Sequence, residues 1–530
     1  MIQKYFYSAI LVLIFSSFVF SQAVPNDFHL KNKTNNLSKS LTSSTPLGNG
    51  ISDIVVVGDT IIIGTGKGLS ISTDNGDSWE NYYQTNNFGT DAIASVNYNK
   101  YTNTIWASTV RPFDSDVDMG TGIHYSTDLG KTWNYIPQPV DNPGDSLFTY
   151  GINNGINLPQ VKALPVTVPQ QNITWDFTFT HNKVWITSWS SGLRMSADTG
   201  KTWQRVLLPS DKLNSVQPSD TVRYSLRPKA GDVGNNNHLG FSVVAVNDST
   251  LYVGTADGIN KTTNAEATYP SWQKFNHLNQ DNPISGNFVT ALGYNSYNNT
   301  IWGATWVAEG STEFYAVSFT SDGGQNWQTA LKDEHVHNFG FKYNDVIATS
   351  DNGAFRSSDI GNSWILPNSI VDSKSGYSID VSNIAFNAAA TNNNFVWLGS
   401  DEGLARLDET PNIMWDGEWK IYFSSQSLAA QNETHCFPNP FSPRLDRLKI
   451  KYSTGGKSAK VTIRVFNFSM NYVTTVIQNA DRSETGTGTG IIDYWNGRDA
   501  SGNYVPNGVY FYRVEVGSND PIYGKILVIQ

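Results

Sequence analysis

Between residues 48 and 425 apolar and polar residues alternate in short runs, and the runs come in groups of four. In one group they read AIASVNYN (92–99), TIWAST (104–109), GIHYST (122–127) and WNYI (133–136). A period of two puts every second side chain on a buried face, which predicts β-strands rather than helices. The first runs of the other groups are DIVVV at 53, ITWDFTF at 173, FSVVAVN at 241, FVTALGYN at 288, VHNFGFK at 336 and VSNIAFN at 381, which makes seven groups. Four short antiparallel strands repeated radially form a propeller blade. The pattern therefore predicts an all-β chain with a seven-bladed β-propeller over residues 48–425. Its phase starts on a first strand and stops on a fourth, so the ring is expected to close without a blade shared between the two ends.

The turn between the third and fourth runs is repeated almost unchanged: STDNGDSW (72–79), STDLGKTW (126–133), SADTGKTW (196–203), TSDGGQNW (320–327) and SSDIGNSW (357–364). Two decayed copies end at Trp272, with Thr262 and Asn264 in the Ser and Asp places, and at Trp419. Each residue type has a mechanical task. Asp folds back onto backbone N–H groups, Gly takes a positive φ, the hydroxyls bond locally, and Trp leaves on the next strand. This motif resembles the Asp-box, or BNR repeat, of sialidases, some xyloglucan-degrading enzymes and sortilin-like receptors. The resemblance implies a structural role, away from the ligand face, for Asp74, Trp79, Asp128, Trp133, Asp198, Trp203, Asp322, Trp327, Asp359 and Trp364.

Composition agrees with strands and tight turns: 15% of the residues are charged, against 16 Trp, 25 Tyr and 26 Phe. The formal net charge of −10 offers no basic stripe for nucleic acid or an anionic membrane. Residues 1–23 have a short n-region with Lys4, an apolar run from Ala9 to Phe20 and a small-x-small site at Ser21-Gln22-Ala23. They read as a removable signal peptide, with an uncleaved anchor as the alternative, although the run is shorter than the roughly 20 residues a bilayer core requires. Residues 24–47 read as a linker, and no later segment is apolar enough to span a membrane. The lone Cys436 rules out an intrachain disulfide.

In an up-and-down blade the Asp-box turn shares a face with the turn after strand one. Long insertions fall at the other strand ends: 137–172, 206–239, 273–287 and 366–380 between units, and 110–121 and 306–313 within them. Loops gathered on one rim of a rigid scaffold are where binding is expected. Trp189 and Trp306 each follow a strand-two Trp by four residues, where other units place Val110, Ala256 or Asp401, and an exposed indole is a platform for a sugar ring. Asp257 and Asp401 are further candidate ligand-binding residues. Asp114, Asp116 and Asp118 alternate as in a Ca2+ loop, but Gly120 is one place late for an EF-hand and no Glu stands at the twelfth position. His335 and His337 flank Val336 and could bind a metal, yet no third ligand is evident. Hydrolysis of a glycan would need two facing carboxylates, and Asp114, Asp145, Asp232, Asp257, Glu309 and Asp401 are the rim candidates. The Phe/Tyr-Arg-Ile-Pro motif of sialidases is absent, and xyloglucan-type enzymes generally join two propellers where one is expected here.

After a linker over 426–436 the pattern changes to strands separated by Gly- and Asn-rich turns, a small β-sandwich over 437–530. Pro438-Asn439-Pro440-Phe441, Trp495-Asn496-Gly497, Gly502, Gly508-Val509-Tyr510-Phe511 and the basic-then-apolar ending from Lys525 resemble the Ig-like domain of hook-cap proteins and the C-terminal sorting domain of type IX secretion cargo. Asn496 stands where Asp is more usual. The sorting resemblance implies the type IX machinery as partner and a secreted or outer-membrane-surface location in a Gram-negative bacterium; a plain Ig-like spacer is the alternative. The leading functional expectation is a propeller that binds a polysaccharide or partner protein on the face opposite the Asp-boxes, without a cofactor. A glycoside hydrolase is the runner-up, and a structural adhesion protein the third possibility.

Overall fold

The structure is a computed structural model describing residues 40–530 apart from 86, 115–116, 154–155, 158–160, 232, 376, 382–383, 393, 424–433, 484–489 and 520. The signal-peptide reading, most of the 24–47 and 426–436 linkers, Asp116 and Asp232 therefore lie outside the described residues. Among the described residues the regular elements are strands and one 3-10 turn, Asn236–His238. None is a helix long and apolar enough to cross a membrane.

Seven antiparallel sheets, here I to VII, follow one another along residues 41–422. Their first strands are Ile51–Val57, Ala92–Asn99, Asp176–Phe179, Gly240–Ala245, Phe288–Asn295, Val336–Lys342 and Phe386–Thr391. Each of these packs against the next and the last against the first, so they line the centre of a closed ring, a β-propeller. Second and third strands such as Val184–Ser188 and Gly192–Ser196 are buried on both faces because a neighbouring sheet lies on each side. This is why their sequences read as near-continuous apolar and small residues rather than as clean alternation. Sheet VI has three strands instead of the expected four. After Trp364 the pairing shrinks to one bridge, Arg356 to Ile365, and Pro367 then lacks the N–H that a fourth strand would need.

Polar side chains on the first and second strands stitch sheet to sheet. Asp53 accepts from the Val96 N–H at 2.9 Å and Asp176 from the Val243 N–H at 2.8 Å, while Ser108 donates to the Thr174 carbonyl at 2.7 Å. Burial at the centre of the ring pushes the Asp176 carboxyl up to about 8, with the like charge of Asp53 adding to the shift.

Ring closure uses no shared strand: sheet VII is built from Phe386–Tyr422 alone, and sheet I gains an outer strand, Leu41–Ser43, from just upstream. The seam is sealed by side chains. Asn387 donates to the Ile51 carbonyl at 3.2 Å, Arg406 to the Asn75 carbonyl and Lys420 to the Gly76 carbonyl at 3.3 Å. Trp79 packs edge-on against Trp397 and Tyr422, with centroids 6.4 and 5.8 Å apart.

The two longest insertions depart from expectation. Rather than standing on the rim, 137–172 runs down the outer edge of sheets III and IV until the Tyr150 hydroxyl reaches the Pro270 carbonyl at 3.1 Å, beside the turn of the fourth unit. Part of 206–239 adds Ser215–Val216 as an outer strand to Trp272–Phe275. The outer strand of sheet III, Gln204–Arg205, has only two residues, and an open edge is covered by burying Leu207, Leu208, Val216 and Leu226 over it. Asp141 in the first insertion takes Arg194 at 2.8 Å and Arg205 at 3.4 Å, both buried.

The C-terminal strands form two facing sheets. One contains His435–Phe437, Leu448–Tyr452 and Ile491–Trp495, and the other Ser458–Asn467, Tyr472–Ser483, Gly508–Val516 and Ile522–Val528. Phe441, Ile450, Ile463, Tyr512 and Ile526 lie in the core between them. Asn439, from the Pro-Asn-Pro-Phe stretch, accepts from the Leu527 N–H and donates to the Lys525 carbonyl, both at 2.8 Å, and so clamps the last strand.

Candidate functional site at the channel mouth

The repeated turns show what one face of the ring is used for. In STDNGDSW the Ser72 hydroxyl donates to Asp74 Oδ1 at 2.7 Å and accepts from the Gly76 N–H at 2.7 Å. The Ser78 N–H and hydroxyl close on the same carboxylate at 2.9 and 2.5 Å. The network recurs around Asp128, Asp198, Asp322 and Asp359, and the decayed copy keeps it through Asn264, which accepts from Thr262 and from the Ser271 N–H. Hydrogen bonds led by the Asn326 side chain hold the Asp322 carboxyl at about 2, and those led by Ser363 do the same for Asp359. At Asp74 burial works upward, but the bonds from Ser78 and Ser72 outweigh it and leave the carboxyl at about 2.

These turns fasten each sheet to the one before. Trp133 packs edge-on against Tyr82, Trp327 against Phe275 and Trp364 against Trp302, each in the preceding sheet. The turn after strand one lies on this same face, since the Asn75 amide donates to Asp59 at 2.8 Å. The carboxylates and indoles of this face are engaged in holding the ring together.

At the opposite strand ends, six of the seven first strands carry a one-residue bulge near their start, at Ser52, Ala94, Phe241, Thr290, His337 and Asn387. A bulge bends a strand and re-aims its side chain. Here the re-aimed residues meet those that follow strand two. His337 Nε2 lies 2.7 Å from Asp351 Oδ1, and His335 Nδ1 lies 3.1 Å from Asp351 Oδ2, so one carboxylate bridges two imidazoles. Asn387 donates to Asp401 at 2.8 Å in the same way.

Across sheets III to VI the meeting is aromatic. Trp189 contacts Phe241 with centroids 5.0 Å apart, Phe241 contacts Phe288 at 4.4 Å, Phe288 contacts Trp306 at 6.1 Å, and Trp306 contacts His335 at 5.1 Å, which in turn lies 4.0 Å from Tyr315. The Trp306 indole N–H donates to the Val336 carbonyl at 3.1 Å and fixes the ring plane. Trp189 is 36% exposed, and the other five rings are each partly exposed. A continuous aromatic arc thus crosses three sheet junctions on the face opposite the fastening turns.

The predicted site residues fall in different places. Trp189 and Trp306 both belong to the arc. Asp401 holds Asn387, which itself donates across the ring's closing seam. Asp257 is bound by the buried Lys274 ammonium, which also donates to the Ser210 and Asp211 carbonyls at 3.0 Å; burial pushes the carboxyl up to about 6 against the pull of that ammonium. Asp114 and Asp118 sit on a paired hairpin, Thr104–Asp114 with Val117–Ser126, where a loop was expected. Among the described residues no set of three His, Cys, Asp or Glu is arranged to hold a metal ion. Of the carboxylates considered for hydrolysis, Glu309 pairs with Lys229 and Asp145 accepts from Asn142. Sequence reasoning missed Phe241, Phe288, Tyr315 and Asp351. For Asp351 a signal existed: Ser350-Asp351-Asn352-Gly353 aligns with Ser400-Asp401-Glu402-Gly403, which puts Asp351 in the place that Trp189 and Asp401 occupy.

No protein-family profile matches the chain, and no curated protein does. Solved structures similar to it include a GH74 enzyme from Niastella koreensis, at 13% identity and TM-score 0.48, covering 93% of this chain and 75% of that one. PorZ, a surface component of the type IX secretion system of Porphyromonas gingivalis, matches at 13% identity and TM-score 0.32, over 91% and 75%. YCF48 from Cyanidioschyzon merolae matches at 13% and 0.37, over 68% and 92%. Likeness at this level carries no functional argument.

Proposed function

We propose that the chain is a secreted or surface-displayed polysaccharide-binding propeller whose binding surface is the aromatic arc. The carrying observation is the unbroken row from Trp189 to Tyr315 at the channel mouth. Sugar rings present apolar C–H faces that stack on indole and phenyl groups, and rings braced against one another lose little side-chain freedom on binding. The hydrogen-bonding groups at the end of the arc, His335 within it and His337 and Asp351 beside it, suit sugar hydroxyls. Of the carboxylates considered for hydrolysis, Asp145, Asp257, Glu309 and Asp401 are occupied by ammonium or amide groups, which favours recognition over glycosidic cleavage.

Affinity electrophoresis of the full chain through gels containing different polysaccharides tests this. At least one polymer is expected to retard the protein, and Trp306→Ala is expected to weaken binding about tenfold, since a stacked ring contributes on the order of 1 kcal/mol or more. Equal retardation of parent and variant would remove the arc from the account. Release of reducing ends from the retained polymer would make the chain a glycoside hydrolase instead.

The second part of the proposal is that residues 437–530 act as the export address. The Asn439 clamp on the final strand supports it, because it joins two of the stretches that carry the resemblance to sorting domains, Pro438-Asn439-Pro440-Phe441 and the ending from Lys525.

A further inference from the structure

The chain's net charge of −10 is unevenly spread. Residues 437–530 hold 11 Lys and Arg against 7 Asp and Glu, whereas the whole chain holds 36 against 46. In the C-terminal sandwich Lys460, Arg464, Arg482 and Arg513 are each paired with a carboxylate. Arg444, Arg447, Lys449, Lys451 and Arg498 form no ion pair among the described residues.

Strand geometry gathers these five cations. Along Leu448–Tyr452 the alternation sends Leu448, Ile450 and Tyr452 into the core and leaves Lys449 and Lys451 on the outer face of the three-stranded sheet. Register then sets Tyr494, 54% exposed, directly beside Lys449. Next to this pair Arg444, Arg447 and Arg498 complete the wall of an open cavity of about 680 Å3.

Two of the guanidiniums are braced. Arg498 lies 3.8 Å from the centroid of the Tyr504 ring and donates to the Gly502 carbonyl at 2.6 Å. Arg444 lies 5.4 Å from the same centroid, and its Nε donates to the Gln530 side chain at 3.0 Å. A guanidinium held on an aromatic ring keeps N–H groups for a carboxylate or sulfate and gives up little freedom on binding it. Among the described residues lining the cavity, Asp446 is the one carboxylate side chain, so four cations face one anion. Asn496 lines it as well, and its amide stands where Asp is more usual, which keeps a second carboxylate out of the cavity.

The surroundings narrow the anion to a class. Pro443 and Leu445 are the aliphatic side chains of the cavity, and Leu445 is 87% exposed, so the buried apolar anchor on which a protein partner depends is missing. A nucleic-acid duplex, with a charge about every 1.7 Å, calls for a longer cationic stripe than five side chains make. An acidic glycan carries its charges further apart and offers C–H faces to a ring such as Tyr494.

We propose that this face of the C-terminal sandwich is a second binding site, independent of the arc, for an acidic polysaccharide bearing carboxylate or sulfate groups. Fluorescence anisotropy of the full chain with labelled oligogalacturonate, heparin oligosaccharide, poly-L-glutamate and duplex DNA tests it. At least one of the two acidic glycans is expected to bind, more weakly as NaCl is raised, and the tighter one shows which anionic group is preferred. Exposed Arg447→Ser is expected to weaken binding about tenfold by removing a charge-assisted hydrogen bond. Asn496→Asp keeps the side-chain oxygen that accepts from the Arg498 N–H at 3.2 Å but adds a negative charge, and is expected to weaken binding about threefold or more. Trp306→Ala is expected to change nothing. The proposal is overturned if neither acidic glycan binds, if poly-L-glutamate or DNA binds more tightly than both, or if both cavity variants match the parent. Loss of acidic-glycan binding in Trp306→Ala would overturn it equally.

Discussion

A single aspartate illustrates how far residue chemistry reaches in this protein. In each turn the carboxylate closes a ring with a hydroxyl two residues before it and with a hydroxyl, or at Asp322 the Asn326 amide, four residues after it, and that spacing is what made the motif readable. One part of the turn stayed hidden. The residue before each glycine also has a positive φ, at Asn75, Leu129, Thr199 and Ile360, and its identity drifts because the closed network, not the side chain, imposes that backbone. The depressed carboxylates make an acid-stability prediction. Asp74, Asp322 and Asp359 titrate at about 2, against 3.8 for a free aspartate. A lowered folded-state value contributes stability that is complete above the unfolded value and disappears as pH falls through the folded one. Thermal midpoints are therefore expected to drop between about pH 4 and pH 2 beyond the general acid effect, and a triple Asp→Asn variant to show a flatter profile over that window. A parallel fall in variant and parent would contradict the role assigned to these turns.

At the scale of the element, the strands were legible because their period is two, and Ala92–Asn99 and Phe288–Asn295 begin and end where the pattern placed them. The bulges were not, since each lies one or two residues from its strand's start, where too little of the pattern precedes it for the change of phase to be read. They matter most for the site, because Phe241 and His337 are themselves the bulged residues. Fastening between sheets can be tested with two glycines of positive φ. A Cβ on Gly76 would lie 2.6 Å from the Tyr422 hydroxyl and 2.7 Å from Trp397, whereas one on Gly58 meets nothing within 4 Å. Gly76→Ala is expected to cost about 3 kcal/mol or more in denaturant unfolding, combining overpacking with backbone strain, and Gly58→Ala about 1 kcal/mol from strain alone. Equal costs would mean that the closing seam tolerates displacement and does not hold the ring.

For the whole molecule, topology separates two faces: one spent on fastening sheet to sheet, the other left with aromatic and hydrogen-bonding groups at the channel mouth. The sequence indicated where the long insertions leave the ring but not where they go. Segment 137–172 follows an exposed sheet edge to the far side because Asp141 and Tyr150 find partners there, a three-dimensional fact with no local signature. Phe241 and Phe288 looked like ordinary strand starts for the same reason: their contact is made across a sheet junction. Export belongs to this scale as well. Deleting residues 437–530 is expected to keep the ring from reaching the medium or the cell surface in the native host, and undiminished export would make the C-terminal sandwich a spacer.

Hydrogen–deuterium exchange of the full chain with and without a retained polysaccharide bears most directly on the division between the two faces. Added polymer is expected to slow exchange around Trp189, Phe241, Phe288, Trp306 and His335, and to leave the turns at Asp74, Asp128, Asp198, Asp322 and Asp359 unchanged. Protection confined to those turns, with none at the channel mouth, would contradict it.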